Sequence, residues 1–514
     1  MSKTIIIIGA GLAGLSAALQ AAENGCNVKL VSSLSSERAQ SVMAEGGINA
    51  ALNTKDENDS PEEHFTDTIK AACGLADPNA VWGMTQAAPE LVHWLLKLGV
   101  KFNMSGYDDV DLRNFGGQKK KRTAFAQSDT GKQIMTAMID AVRRKEASGM
   151  VERFSHHSFL TLRLCGNICC GCVIRDEYSQ ETVELPGDAV IVATGGMHGL
   201  FGNTTGSLSN TGEVTAELFR LGVPLANGEM IQYHPTTVKC GGKRMLISEA
   251  ARGEGGRLFA MKDGKQWYFM EEKYPELGNL MPRDITAREI WKVSHESEVF
   301  LDMTEISEEI ISNKLSGLAD DCMTYLHKDI RKEPVSVLPG IHYFMGGILV
   351  DEQHRTPIQN LYAAGECCAQ YHGANRLGGN SLLGALYGGR VAAKSACEQA
   401  DVVDLSCATQ IDFPPASQIS EIKQLNKVMQ ETMGVVRNEN TLLNGIQTVQ
   451  ALTGNLPLLG MAVLKSALAR KESRGAHWRE DYPKSNDDDY LKTTVARFDG
   501  KQIQISFVPV PERR

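Results

Sequence analysis

Three glycines near the start of the chain have types and spacing suited to holding phosphate. Gly9, Gly11 and Gly14, with Ala10 between the first two, form G-x-G-x-x-G directly after Ile5-Ile6-Ile7-Ile8. An apolar run followed by this spacing reads as strand, tight turn and helix. Gly9 permits the turn, Gly11 lets backbone approach a pyrophosphate, and Gly14 lets the helix pack on the strand. Free N–H groups in the first helical turn then face the phosphates. In isolation the pattern also fits an ordinary strand-to-helix turn. Residues 16–23 continue as an alanine-rich helix, Gly25 ends it, and 28–32 read as a second strand. That completes a strand–helix–strand unit and points to a dinucleotide.

Composition bounds what can surround such a site. With 514 residues, 42% of them hydrophobic and 22% charged, the chain is globular and long enough for more than one domain. A net charge of −9 argues against nucleic acid as a partner. The basic run Lys119–Arg122 reads as a solvated loop. The 12 cysteines are scattered without a paired framework, which suits a reducing cytosol. Cys169, Cys170 and Cys172 fall in an alternating strand that sends neighbours to opposite faces, so no metal site is expected there. No apolar run reaches the length of a membrane span.

The elements that must position the site follow in chain order. Ser60-Pro61-Glu62-Glu63 has an N-cap, a proline at N1 and acidic first-turn residues, so a helix is expected from 61. Segments 78–98 and 130–147 are also helical in pattern, and 154–184 alternates as strands. Residues 188–196 (DAVIVATGG) resemble the strand that returns to the cofactor in glutathione-reductase-like flavoproteins, and 360–366 reads as a third return. Strands that reach one cofactor from distant parts of the chain imply an interrupted domain. The expected fold is α/β. A Rossmann-like FAD-binding domain (1–230 and 338–411) is interrupted by an α+β capping domain (231–337). A linker at 412–416 leads into a C-terminal helical domain and tail (412–514).

Several separated motifs carry a resemblance over nearly the whole chain. They are Ala44-Glu45-Gly46-Gly47-Ile48, Gln232-Tyr233-His234-Pro235-Thr236, Ser248-Glu249-Ala250-Ala251-Arg252-Gly253, Pro282-Arg283-Asp284, and His342-Tyr343-Phe344-Met345-Gly346-Gly347. The stretch 372–383 (HGANRLGGNSLL) and 473–483 (SRGAHWREDYP) complete the set. The chain resembles the flavoprotein subunits of succinate dehydrogenase and fumarate reductase, with L-aspartate oxidase a close relative. The resemblance implies interconversion of fumarate and succinate by hydride transfer between flavin N5 and a substrate carbon.

It also implies roles for single residues. His234, Ser248, His342 and Arg376 would hold the two carboxylates; the family commonly has Thr where this chain has Ser248, and the hydroxyl is kept. Arg gives a planar fork and His and Ser give single directed bonds, which suits a small dianion. Arg283 would deliver a proton to the substrate carbon, with Glu249 and Arg252 as its relay. A salt bridge to Asp284 is the structural alternative for Arg283. For FAD, the resemblance implies contacts from Gly9, Ala10, Gly11, Gly14, Ser32, Gly46, Gly47, Glu366, Ser381 and Leu382. Glu213 stands where the family has Asp.

Two positions refine the reading. Gln40 falls where respiratory members carry the histidine that bonds FAD covalently, and glutamine cannot form that link. Non-covalent FAD is expected, with fumarate reduction favoured over succinate oxidation. Phe115 stands where aspartate oxidases place a glutamate suited to an ammonium, so a C4 dicarboxylate is expected over aspartate. An iron–sulfur electron-transfer subunit is the implied partner. The expected location is cytoplasmic, or peripheral at the cytoplasmic face of the membrane through that partner. L-aspartate oxidase, a soluble reductase of another unsaturated acid, and a silent flavin-binding subunit are the alternatives.

Overall fold

The computed structural model describes residues 2–106, 109–400, 413 and 418–514. Its first element is the strand Thr4–Ile8, followed by the helix Leu12–Glu23 and the strand Asn27–Ser32. These open a five-stranded, all-parallel sheet in the order Leu361–Ala363, Ala189–Val192, Thr4–Ile8, Asn27–Ser32, Val151–Ser155. Ile5, Ile6 and Ile7 and the run Ala189-Val190-Ile191-Val192 are fully buried, as a strand covered on both faces must be. One face packs the alanine-rich Leu12–Glu23 beside the helix Asn380–Gln399; Ser16 Oγ donates to Leu386 O across 2.7 Å. Small side chains let the two helices approach closely. Sequence-distant strands therefore do meet in one interrupted sheet.

The helix Pro61–Ala71 starts as its cap residues dictate, with Ser60 Oγ accepting from Glu63 N at 3.2 Å, an interaction worth about 1 kcal/mol. Thr130–Ala147 and Pro78–Leu98 are helices with the expected bounds. The basic run departs from expectation: Arg122 is fully buried and paired with Asp59 at 2.8 Å and Asp67 at 2.9 Å, so it is a core ion pair and not part of a solvated loop. Cys165 is disulfide-bonded, and the other described cysteines are free.

Within 231–337, Arg257–Lys262 centres an antiparallel sheet with Lys265–Trp267, Val299–Asp302 and Val335–Ser336, over its own core of Leu258, Ala260, Ile290 and Leu301. The strand Ile231–Cys240 pairs antiparallel with Leu338–Phe344, and the register shifts between His234 and Thr237 around Pro235. Three helices, Ile419–Thr432, Glu439–Val449 and Asn455–Ala469, form the C-terminal layer. Beyond them Lys492–Phe498 and Ile503–Pro509 make a hairpin that adds to Leu225–Ala226. The expected linker at 412–416 lies outside the described residues save Phe413, which is exposed. No helix among the described residues is long and apolar enough to cross a membrane.

Candidate active site

One cavity of about 1180 Å³ runs from the glycine turn to the junction between the parallel sheet and segment 231–337. That exceeds the ~300–1,000 Å³ of common small-molecule pockets, leaving room for a dinucleotide with a small acid beside it. At one end lie Gly9, Ala10, Gly11 and Ser32. Gly9 has φ +111°, and a Cβ on it would sit 2.2 Å from Ala193 O, so only glycine fits. Ser32 Oγ is buried with no partner among the described residues, as a hydroxyl waiting for a ligand would be. Gly14 does not line the cavity. A Cβ there would lie 1.8 Å from Gly9 O, so this glycine serves the helix–strand contact.

Midway, Gly46, Gly47, Glu213 and Glu366 line the wall, and the helix Asn380–Gln399 presents its first turn through Gly379, Ser381 and Leu382. Glu366 Oε1 accepts from Phe344 N at 3.1 Å. Gln40 also lines this wall, its Oε1 accepting from Ser207 N at 2.6 Å. These observations fit a flavin dinucleotide: glycine turn, helix N-terminus and unpaired hydroxyl face one continuous space.

At the far end, His234, Ser248, Glu249, Arg283, His342 and Arg376 line the same cavity, with Phe115. Arg283 donates through Nε at 2.8 Å and Nη2 at 2.5 Å to Glu249 Oε2, and through Nη1 at 3.2 Å to Gln232 Oε1. Glu249 Oε1 accepts from Gly116 N at 3.0 Å and lies 3.4 Å from Arg252 Nη2. Arg252 sits behind the cavity wall and donates to Asn279 O at 2.6 Å. The Arg283–Asp284 alternative is not what forms; Asp284 Oδ1 accepts from Asn375 Nδ2 at 2.9 Å. Burial pushes the Glu249 carboxyl up, but Arg283 and Arg252 outweigh it and hold the group below its ordinary value.

The cations that face the cavity are not all balanced. Arg376 lies 4.4 Å from the Tyr343 ring centroid, and its buried Nε has no partner among the described residues. Burial and then Arg283 push its pKa down to about 9. His234 and His342, with ring centroids 5.1 Å apart, are both held well below the ordinary imidazole value, first by burial and then by Arg283. Two neutral imidazoles and an unpaired guanidinium form a donor set for an anion. Phe115 fills the floor; a Cβ on Gly46 would sit 2.8 Å from its ring.

Some participants were not singled out from sequence. Gln232 and Tyr343 lie inside quoted motifs, but only the fold brings them against Arg283 and Arg376. Glu45 lines the cavity too, its carboxyl raised to about 8 by burial and then by Asp321. Thr205, in an irregular segment with no periodicity to read, meets His342 Nδ1 at 2.8 Å.

The chain matches two known families: an FAD binding domain over residues 4–382 and a fumarate reductase flavoprotein C-terminal domain over 452–513. It is 38% identical to the succinate dehydrogenase flavoprotein subunit of Bacillus subtilis, covering 100% of this chain and 98% of that one. The 8-methylmenaquinol:fumarate reductase flavoprotein subunit of Wolinella succinogenes is 32% identical, with 100% and 92% covered. Among solved structures, E. coli quinol fumarate reductase superposes with a TM-score of 0.90 at 27% identity, covering 99% of this chain and 97% of that chain.

Proposed function

The chain belongs to the succinate dehydrogenase/fumarate reductase flavoprotein family, and from that premise we propose how its residues interconvert fumarate and succinate with FAD. The observation that carries the reading is the Arg283–Glu249–Arg252 chain, which ends in the cavity shared with the glycine turn. When bound, FAD supplies the hydride-transferring atom, N5. Gly9, Ala10, Gly11 and Ser32 would hold its pyrophosphate and ribose, and Gly46, Gly47, Glu213, Glu366, Ser381 and Leu382 its remaining wall.

Arg376, His234, His342 and Ser248 hold the two substrate carboxylates, and Phe115 closes the space beside them. Fixed donors in a site shielded from water act more strongly than the same groups in solvent. Arg283 holds a proton at its guanidinium for the substrate carbon. An arginine gives up a proton only to a strongly basic centre, and only if it is replaced at once. The Glu249 carboxylate, at 2.5 Å, is in place to pass on to it a proton received from the side of Arg252 behind.

Three finer readings accompany this one. Gln40 carries no imidazole, so FAD is held without a covalent bond, and fumarate reduction is favoured over succinate oxidation. An iron–sulfur subunit exchanges electrons with the chain, which lies in the cytoplasm or at the cytoplasmic membrane face through that partner. The domains divide as 1–230 with 338–411, 231–337 and 412–514; the separate sheet and core within 231–337 support the division.

Anaerobic oxidation of a reduced viologen dye by the FAD-loaded chain tests the activity. Fumarate-dependent oxidation is expected; none with FAD bound, together with peroxide from aspartate in air, would replace the reading with an aspartate oxidase. Acid precipitation tests the linkage, since all flavin is expected in the supernatant and flavin on the pellet overturns non-covalent binding.

A further inference from the structure

A neutral imidazole has one N–H, and its position decides whether the ring attracts or repels a carboxylate. His342 lines the cavity, and its Nδ1 is taken up by Thr205 Oγ1 at 2.8 Å. Among the described residues no protein group meets its Nε2, the nitrogen left for a ligand. The Thr205 hydroxyl has one proton and two neighbours able to accept it: His342 Nδ1 at 2.8 Å and Ile341 O at 3.3 Å. Ile341 O already receives the Thr205 backbone N–H at 3.0 Å. The contact to Nδ1 is the shorter of the two, and a carboxylate held at Nε2 requires the ring proton there, which leaves Nδ1 to accept the hydroxyl proton. The ring proton then resides on Nε2.

We propose that Thr205 is a positioning residue that fixes His342 as its Nε2–H tautomer, so that the ring donates to a substrate carboxylate. The opposite tautomer would turn a nitrogen lone pair toward the carboxylate oxygens. Thr205 touches no substrate in this arrangement; it acts through His342. The inference rests on the substrate-binding role given to His342 above.

Thr205→Val keeps the side-chain shape and removes the hydroxyl, and Thr205→Ser keeps the hydroxyl. His342→Ala reports on the underlying role. Each FAD-loaded variant is first checked for flavin content, which controls for folding. Fumarate KM and kcat are then measured, along with malonate affinity from the perturbed flavin absorbance, a readout independent of turnover. Thr205→Val is expected to raise KM and the malonate Kd about tenfold, with kcat changed much less. Thr205→Ser is expected within about twofold of the parent. The proposal is overturned if Thr205→Val binds normally while His342→Ala is impaired, or if Ser and Val are equally impaired. Normal binding by His342→Ala would instead remove the role for His342 on which the proposal stands.

Discussion

Arg283 is a buried guanidinium with two N–H groups on one carboxylate oxygen, and in the proposed role that pairing is the route by which its proton is replaced. Truncation to alanine removes the proposed proton donor and leaves the glycine turn and the first turn of Asn380–Gln399 untouched. Arg283→Ala is therefore expected to lose about 10²–10⁴-fold in kcat while retaining bound flavin. Viologen turnover beside a flavin-to-protein absorbance ratio checks this, and near-normal turnover would sink the role. Residue identity also decides what is missing. Gln40 spends its carbonyl on Ser207 N, and Phe115 brings no charge to the site.

The helix Asn380–Gln399 must hold its first turn still, and a buried polar network beneath it does so. Asn380 Oδ1 receives Asn49 Nδ2 at 2.8 Å and meets His64 Nε2 at 2.9 Å, while Asn49 Nδ2 also donates to Gly378 O at 2.7 Å. Gly379 has φ +84°, and a Cβ on it would strike Asn49 at 2.1 Å, so the turn and its brace fit only as glycine against asparagine. Burial, and then Arg122, push His64 down to about 3. Its folded pKa lies below the unfolded value of about 6.5, so the unfolded chain binds the extra proton. The stabilisation is complete above about pH 6.5 and is lost as pH falls toward 3. Through that window the loss is about 1.4 kcal/mol per pH unit from this residue. Thermal melts of the parent and His64→Gln across pH 4–7 should converge as pH falls; parallel curves would remove the assignment.

At the scale of the whole molecule, buried charges tie the C-terminal segment to the strand Ile231–Cys240. Glu229, just before Ile231–Cys240, accepts from Arg470 Nε at 2.7 Å and from Thr494 Oγ1 at 2.5 Å. Arg470 also binds Glu472, and Glu472 binds Arg474, each at 2.8 Å. Glu229, Arg470 and Glu472 are fully buried. The network ties the C-terminal helices and the hairpin to the strand that carries His234. Removing one member leaves a buried charge uncompensated, so Glu229→Ala is expected to cost about 3–5 kcal/mol. A melting temperature equal to the parent's would show that the network adds nothing to stability.

The local signals were strong wherever the chemistry is local. Gly14 is forced by its contact with Gly9 O in the same turn, Ser60 by its own helix end, and the first strand by four adjacent β-branched residues. Motif resemblance also named His234, His342, Arg283 and Arg376 in one reading, because each sits within a short stretch whose residue types match the family. Pairing lay outside that reach. Arg122 looked like the end of a solvated basic run until Asp59 and Asp67, more than fifty residues away, enclosed it. Thr205 carried no local signal, because its partner His342 lies 137 positions further on. The hairpin at the chain's end found its edge at Leu225–Ala226 in the same way. Local spacing determines a turn or a cap through a few bonds of its own chain. Which buried charge meets which, and where each proton rests, is decided only when distant segments close around them and exclude water.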